Sequence, residues 1–205
     1  MTVVSPKLLI RLLLAVSLVT LIIGCSSDMI SNPVSTDQTD SEILTESIPL
    51  PTWTEEDIAN LLPGYQVLSI DSRAAGTSDQ LDDQTSLFIR RTQGGTVSHR
   101  NNGVQVGAWQ LWEDRTVTVS TPNPGTAIVD FAPHPYQFNG HVRIWIDLTY
   151  IQLPPGMNWW DIQMFYMAED GTVQQFWGYV DHQARQYIAW TDHFSRYILA
   201  VSRTQ

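Results

Sequence analysis

Apolar and polar positions fall into three regimes along this chain. Leu12–Ile23 is a predominantly apolar run, and residues 26–52 are rich in Ser, Thr, Asp and Pro with no hydrophobic period. From Thr54 onward, short apolar runs recur between turn residues. The third regime predicts a folded domain. The second predicts a disordered tether over 25–52, because its composition buries too little apolar surface to offset the entropy of ordering.

The folded part opens with a short predicted helix. Thr54 is suited to cap it, Glu55, Glu56 and Asp57 suit its positive N-terminal end, and Ile58, Leu61 and Leu62 form an apolar stripe. Pro63-Gly64 stops it, and Tyr65–Ile70 then reads as one strand. Residues 71–85 are polar, so helix, strand and loop over 53–85 are expected to flank the main domain. Asp82 and Asp83 read as a solvated loop face, since the 12-residue calcium-loop pattern is absent.

Beyond Ser86 the pattern is strand and turn. Leu87–Ile89, Thr96-Val97, Val104–Val106 and Thr116–Val119 are short β-type runs. His141–Tyr150 alternates most cleanly: Val142, Ile144, Ile146 and Leu148 share one face, and Arg143, Trp145, Asp147 and Thr149 the other. Ile162–Met167, Thr172–Val180, Arg185–Trp190 and Arg196–Val201 complete the set, with a hairpin turn at Glu169-Asp170-Gly171. At least eight strands without an intervening helix predict an all-β fold, an antiparallel β-sandwich over 86–205.

The first regime changes where this domain is expected to work. Lys7 and Arg11 precede the apolar run, Gly24 follows it, and the run is shorter than the roughly 20 residues that span a bilayer. Residues 1–24 therefore read as a secretory signal. Leu21-Ile22-Ile23-Gly24-Cys25 also resembles a bacterial lipobox, in which the cysteine thiol accepts a diacylglyceryl group before cleavage at its amino side. Cys25 is the only cysteine in the chain. Lipidation there predicts an extracytoplasmic protein of a bacterial cell envelope, held to the membrane by its N-terminal lipid. Ser26 stands where enteric lipoproteins retained at the inner membrane carry Asp, which favours the outer membrane in a cell that has two.

Charge narrows the partners. The chain holds 11 Lys plus Arg and 21 Asp plus Glu; removing Lys7 and Arg11 leaves nine against 21, a mature net charge of −12. Phosphate backbones and anionic lipids repel such a surface, so nucleic acid is excluded as a partner. With Cys25 acylated no disulfide forms, and stability rests on a core supplied by eight Trp, seven Tyr and six Phe.

The order of runs carries a resemblance. Gly94-Gly95-Thr96-Val97, Gly103-Val104-Gln105-Val106, Leu111, Asp114–Val119 and the closing Thr191-Asp192-His193-Phe194-Ser195-Arg196-Tyr197-Ile198-Leu199 resemble the ZU-five domain. That β-sandwich is shared by ankyrins, netrin receptors and the death-domain protein PIDD, and similar domains occur in bacterial lipoproteins of unassigned function. The resemblance covers 86–203, with one departure: Gly107-Ala108-Trp109 stands where the family has a Pro and a small-residue turn.

In some family members the triplet His-Phe-Ser cleaves itself, which makes His193, Phe194 and Ser195 candidates. The Ser195 hydroxyl would attack the Phe194 carbonyl carbon, and the resulting ester would be hydrolysed by water. The attack needs a strained peptide and a base, for which His193 is suited. Alternation sends His193 and Ser195 to one face and so permits contact. Asp192 receives no role, since neighbouring strand residues point apart. The competing reading is structural, with Phe194 in the core and both neighbours hydrogen-bonded to nearby loops. Were cleavage to occur, the eleven residues Ser195–Gln205 would stay paired in the sheet.

Other chemistry finds little support. The five histidines lack zinc spacing, no Gly-x-Ser-x-Gly elbow or Gly-rich phosphate loop is present, and no carboxylate pair is marked. No cofactor or metal is expected. The tryptophans outnumber what one core needs. Trp145 lies opposite the apolar face of its strand, and Trp159-Trp160 cannot both point inward on a strand. Three functions follow, in order: a non-enzymatic binding or scaffolding module with a protein partner; a self-processing domain; and a polysaccharide-binding module using exposed Trp145, Trp159 and Trp160.

Overall fold

The computed structural model of the protein describes residues 54–71, 84–168 and 170–203. Cys25, the signal over 1–24, the tether over 25–52 and the pair Asp82-Asp83 lie outside the described residues. In chain order come α1 (Glu55–Leu61), β1 (Tyr65–Val67), β2 (Ser69–Ile70), β3 (Gln84–Ile89), β4 (Gly95–His99), β5 (Asn102–Val106) and β6 (Arg115–Ser120). Then follow β7 (Ile128–Ala132), β8 (Gln137–Asp147), β9 (Ile151–Gln152), β10 (Gln163–Met167) and β11 (Val173–Phe176). The last three are β12 (Gly178–Asp181), β13 (Gln186–His193) and β14 (Arg196–Ser202).

Every pairing is antiparallel. One sheet runs β11-β10-β14-β7-β6-β3, with β1 also paired to β14; the other runs β12-β13-β8-β5-β4; β2 and β9 form a small ribbon. The two large sheets share a core. Val142, Ile144 and Ile146 of β8, with Leu148 just beyond it, meet Phe131, Met164, Tyr197 and Leu199 of the seven-stranded sheet. The β-sandwich expected from alternation is thus the fold, and the inward face of β8 is the one its pattern marked.

The seven-stranded sheet is covered on its outside too. Thr54 Oγ1 accepts from the Asp57 amide (3.2 Å) and the Asp57 carboxylate accepts from the Thr54 amide (2.8 Å), which closes the capping box of α1. The helix then buries Ile58 and Leu62 against Phe165, Met167, Ile198 and Ala200. That explains the unbroken apolar run Tyr197–Val201: alternate residues enter the core while the others pack under α1, so β14 has no solvent face until Ser202.

Three expected elements differ. Tyr65–Ile70 is two strands, because Leu68 is drawn into the core between them while β1 pairs β14 and β2 pairs β9. Thr172–Val180 is also two: Val173–Phe176 pairs with β10 and Gly178–Asp181 with β13, so the chain changes sheets at Trp177. Trp159-Trp160 lies in a 3-10 turn, Trp159–Asp161, whose Asp161 carboxylate accepts from the Asn158 amide at 2.7 Å. β1 also joins the main sheet rather than flanking it.

Candidate functional site

Two places bear on function. The first is the crossover Phe194-Ser195, which carries the chain from β13 in one sheet to β14 in the other. Its two carbonyls, the Phe194 amide and the Ser195 hydroxyl are tied to surrounding groups. The Phe194 amide donates to the Tyr136 carbonyl (2.9 Å), the Phe131 amide donates to the Ser195 carbonyl (3.1 Å), and the Ser195 hydroxyl donates to the Met167 carbonyl. His134 Nδ1 lies 3.1 Å from the Phe194 carbonyl oxygen, to which it donates in the Nδ1-protonated tautomer. The Phe194 ring is buried among Phe138, Tyr136 and Phe131, with ring centres 4.6, 6.1 and 6.5 Å away.

Ser195 has one hydroxyl proton, and it is committed to a main-chain oxygen instead of to His193. The contact that alternation permits is not made. A register shift between Thr191 and His193 interrupts β13 and turns the imidazole toward Tyr166, 4.8 Å away edge-to-face. The same irregularity lets adjacent side chains meet: His193 Nδ1 lies 2.8 Å from Asp192 Oδ1. The expectation that Asp192 and His193 point apart is therefore corrected, because that rule holds only for regular strand. The hydrogen bond from His193 holds the Asp192 carboxyl below its ordinary range. Nearby, the Tyr197 hydroxyl donates to Thr191 Oγ1 (2.6 Å), and burial pushes its pKa up. Beside them lies an open cleft of about 580 Å³, lined by His134, Tyr136, Tyr166, Asp192, His193 and Ser195 among others.

The second place is the outer face of the five-stranded sheet. Alternation along β13 sends Tyr187, Ala189 and Thr191 inward and leaves Ile188 and Trp190 outward. Cross-strand pairing sets Tyr179 and Trp145 on either side of Ile188, and Arg143 opposite Trp190. Tyr179 and Trp190 stack with ring centres 5.9 Å apart and planes 22° apart. Both stand half in solvent, at 50% and 47%, and Trp177 is 83% exposed. Trp177 stands immediately before β12, at the point where the chain changes sheets.

Trp145 belongs to this face but is not exposed. Its ring lies over Gly103, where a Cβ would come within 2.3 Å of Cζ2, and its indole N–H donates to the Asn101 carbonyl at 2.8 Å. Arg143 covers it at 5.2 Å from the ring centre. Trp145 is thus 8% exposed, which removes it from the aromatic surface the sequence suggested. Trp159 is partly buried against the core, whereas Trp160 is 75% exposed and meets His182 edge-to-face at 5.5 Å. Trp109 and Trp112 are also exposed, but Arg91 covers Trp109, and the Trp112 indole donates to the Gln137 carbonyl.

Sequence reasoning missed Trp190 and His134. Trp190 was legible in the alternation of β13; His134 comes 60 residues before its partner, and nothing local marks it. Among the described residues no group of three His, Cys, Asp or Glu is placed to hold a metal ion. No protein-family model and no curated protein matches the chain.

Proposed function

We propose that this chain is a lipid-anchored, extracytoplasmic binding or scaffolding module of a bacterial cell envelope, built on a ZU-five-like sandwich and working without chemical turnover. The observation that carries this reading is the stacked, half-exposed pair Tyr179 and Trp190 beside Trp177 on an otherwise well-packed sheet. Large apolar rings left in solvent next to one another mark recognition surfaces. The lipid at Cys25 and the acidic tether over 25–52 would hold that surface off the membrane, at the outer membrane where the cell has two. Photo-crosslinking of the full-length protein in intact envelopes tests it. A discrete adduct that Trp177→Ala/Trp190→Ala abolishes is expected; adducts unchanged by that double variant would contradict the reading.

A second reading, self-processing at Phe194-Ser195, is favoured by one contact. His134 Nδ1 is in position to stabilise negative charge developing on the Phe194 oxygen. In that reaction Ser195 Oγ bonds to the Phe194 carbonyl carbon and gives its proton to a base. The Phe194–Ser195 amide then breaks to an ester and a free amine, and water converts the ester to a carboxylate. The Met167 carbonyl, which now holds the hydroxyl proton, is no base, so the binding reading ranks first. Intact mass under denaturing conditions separates the two: a wild-type chain ending at Phe194, intact in Ser195→Ala, would establish self-processing.

A further inference from the structure

The outer aromatic face has a composition and a size that select among ligands. Its exposed large residues, Trp177, Tyr179 and Trp190, are all aromatic, with no exposed Leu, Ile, Val or Met beside them. The one aliphatic residue in the row, Ile188, is buried at 1% between Tyr179 and Trp145 in the cross-strand pairing. At roughly 150–250 Å² per aromatic side chain, three rings at these exposures offer roughly 270–450 Å². One side of a standard protein–protein interface buries about 800 Å². The three rings alone therefore supply about half of that area, an apolar patch sized for a few small rings.

The neighbours of the rings are polar and carry fixed geometry. Arg143 stands opposite Trp190 and Gln105 opposite Arg143, followed by Thr96; Asp181 and Gln186 flank Tyr179 and Ile188 one pair of residues along the strands. Flat hydrophobic rings bordered by planar donors and acceptors match a pyranose. Its axial C–H faces lie on the rings, and its equatorial hydroxyls reach the polar rim. Charge narrows the candidates. With nine basic against 21 acidic residues after position 24, the net charge of the mature chain disfavours anionic polymers such as uronates or teichoic-type phosphates.

We infer that the outer face of the five-stranded sheet binds an uncharged glycan, with Trp177, Tyr179 and Trp190 as its stacking platform. The inference rests on the binding-module reading and names its ligand class. It also moves the platform away from Trp145, which is covered, and onto β12 and β13.

Affinity electrophoresis of the full-length protein in detergent tests it. The native gels contain hydroxyethyl cellulose, galactomannan or amylopectin, with alginate as the anionic polymer. At least one neutral polymer is expected to retard the wild type, and alginate is not. Trp177→Ala removes a ring that packs against little and keeps the fold; it should weaken retardation about tenfold, and Trp190→Ala by as much or more. Trp145→Phe, which disturbs a covered ring, should leave the ranking of polymers unchanged. Absence of retardation in all three neutral polymers overturns the glycan inference, as does retardation by a neutral polymer that survives Trp177→Ala/Trp190→Ala. If retardation is absent but that double variant still abolishes the envelope adduct, the binding module stands and its ligand is not a neutral glycan. If neither responds, both readings fall.

Discussion

Phe194 and Trp190 are four residues apart on the same stretch of chain, yet their surroundings are opposite. Phe194 is enclosed by three aromatic rings, and the peptide after it has its carbonyls, amide neighbours and hydroxyl tied to the main chain or to His134. Trp190 stacks on a single ring and leaves nearly half its surface to water. The difference comes from position in the sandwich. At the crossover the chain passes between the sheets, so every polar group must find a protein partner or bear a desolvation penalty. On the outer face the backbone is satisfied by strand pairing, and the side chains are free to serve something else. The ties on the Phe194 and Ser195 carbonyls and on the Ser195 hydroxyl argue for a structural crossover, even though the neighbouring His193 Nε2 is buried without a hydrogen-bond partner; exposed, stacked rings argue for a working surface.

The strongest way to break the inner half of this comparison is at its first residue beyond the crossover. Arg196 Nε and Nη2 donate to Asp130 Oδ1 and Oδ2 at 2.6 and 2.7 Å, a two-pronged pair across β14 and β7 with Arg196 buried. Asp130→Ala leaves a buried guanidinium without that carboxylate and is expected to cost about 3–5 kcal/mol in urea unfolding. Phe194→Ala should cost a similar 3–5 kcal/mol, since a cavity opens among Phe131, Tyr136 and Phe138. A loss below about 1 kcal/mol in either would mean the crossover is not the closed structural joint described.

Ser195→Ala is the smaller, sharper change. It removes the donor to the Met167 carbonyl and should cost about 1–3 kcal/mol while leaving envelope crosslinking intact. Acid gives a related but weaker effect. The folded-state pKa of Asp192 lies below its ordinary 3.8, through the hydrogen bond from His193. Its contribution is therefore fully present above pH 3.8 and is lost as pH falls through the lower folded value. Asp192→Asn should flatten the stability–pH curve in that window, as followed by urea midpoints. At the far end of the scale, Trp177→Ala should leave stability within about 0.5 kcal/mol of wild type. A larger loss would make that ring structural.

Much of this was legible in the sequence, and the reasons are physical. The period-two pattern of Val142, Ile144, Ile146 and Leu148 names the inward face of β8, because burial on one side of a sheet forces it. The capping box at Thr54 and Asp57 is equally local. What escaped depended on contacts made at a distance. Trp145 sits on the face that alternation assigns to solvent, and only the absence of a side chain at Gly103 on a neighbouring strand lets its ring lie down and be covered. Asp192 meets His193 because a register shift breaks the alternation from which their separation was argued. Likewise, the break at Trp177 reflects which sheet each half of 172–180 pairs with, a choice the run itself does not encode.

Hydroxyl-radical footprinting, read residue by residue in mass spectrometry, puts the central claim to its most direct test. The full-length protein is oxidised once in its native envelope and once after purification in detergent. Trp109 and Trp112, exposed but held by their own loop contacts, serve as internal controls. If the outer face is the working surface, Trp177, Tyr179 and Trp190 are protected severalfold in the envelope while the controls react equally in both samples. Equal oxidation of all five residues in envelope and detergent would contradict that assignment.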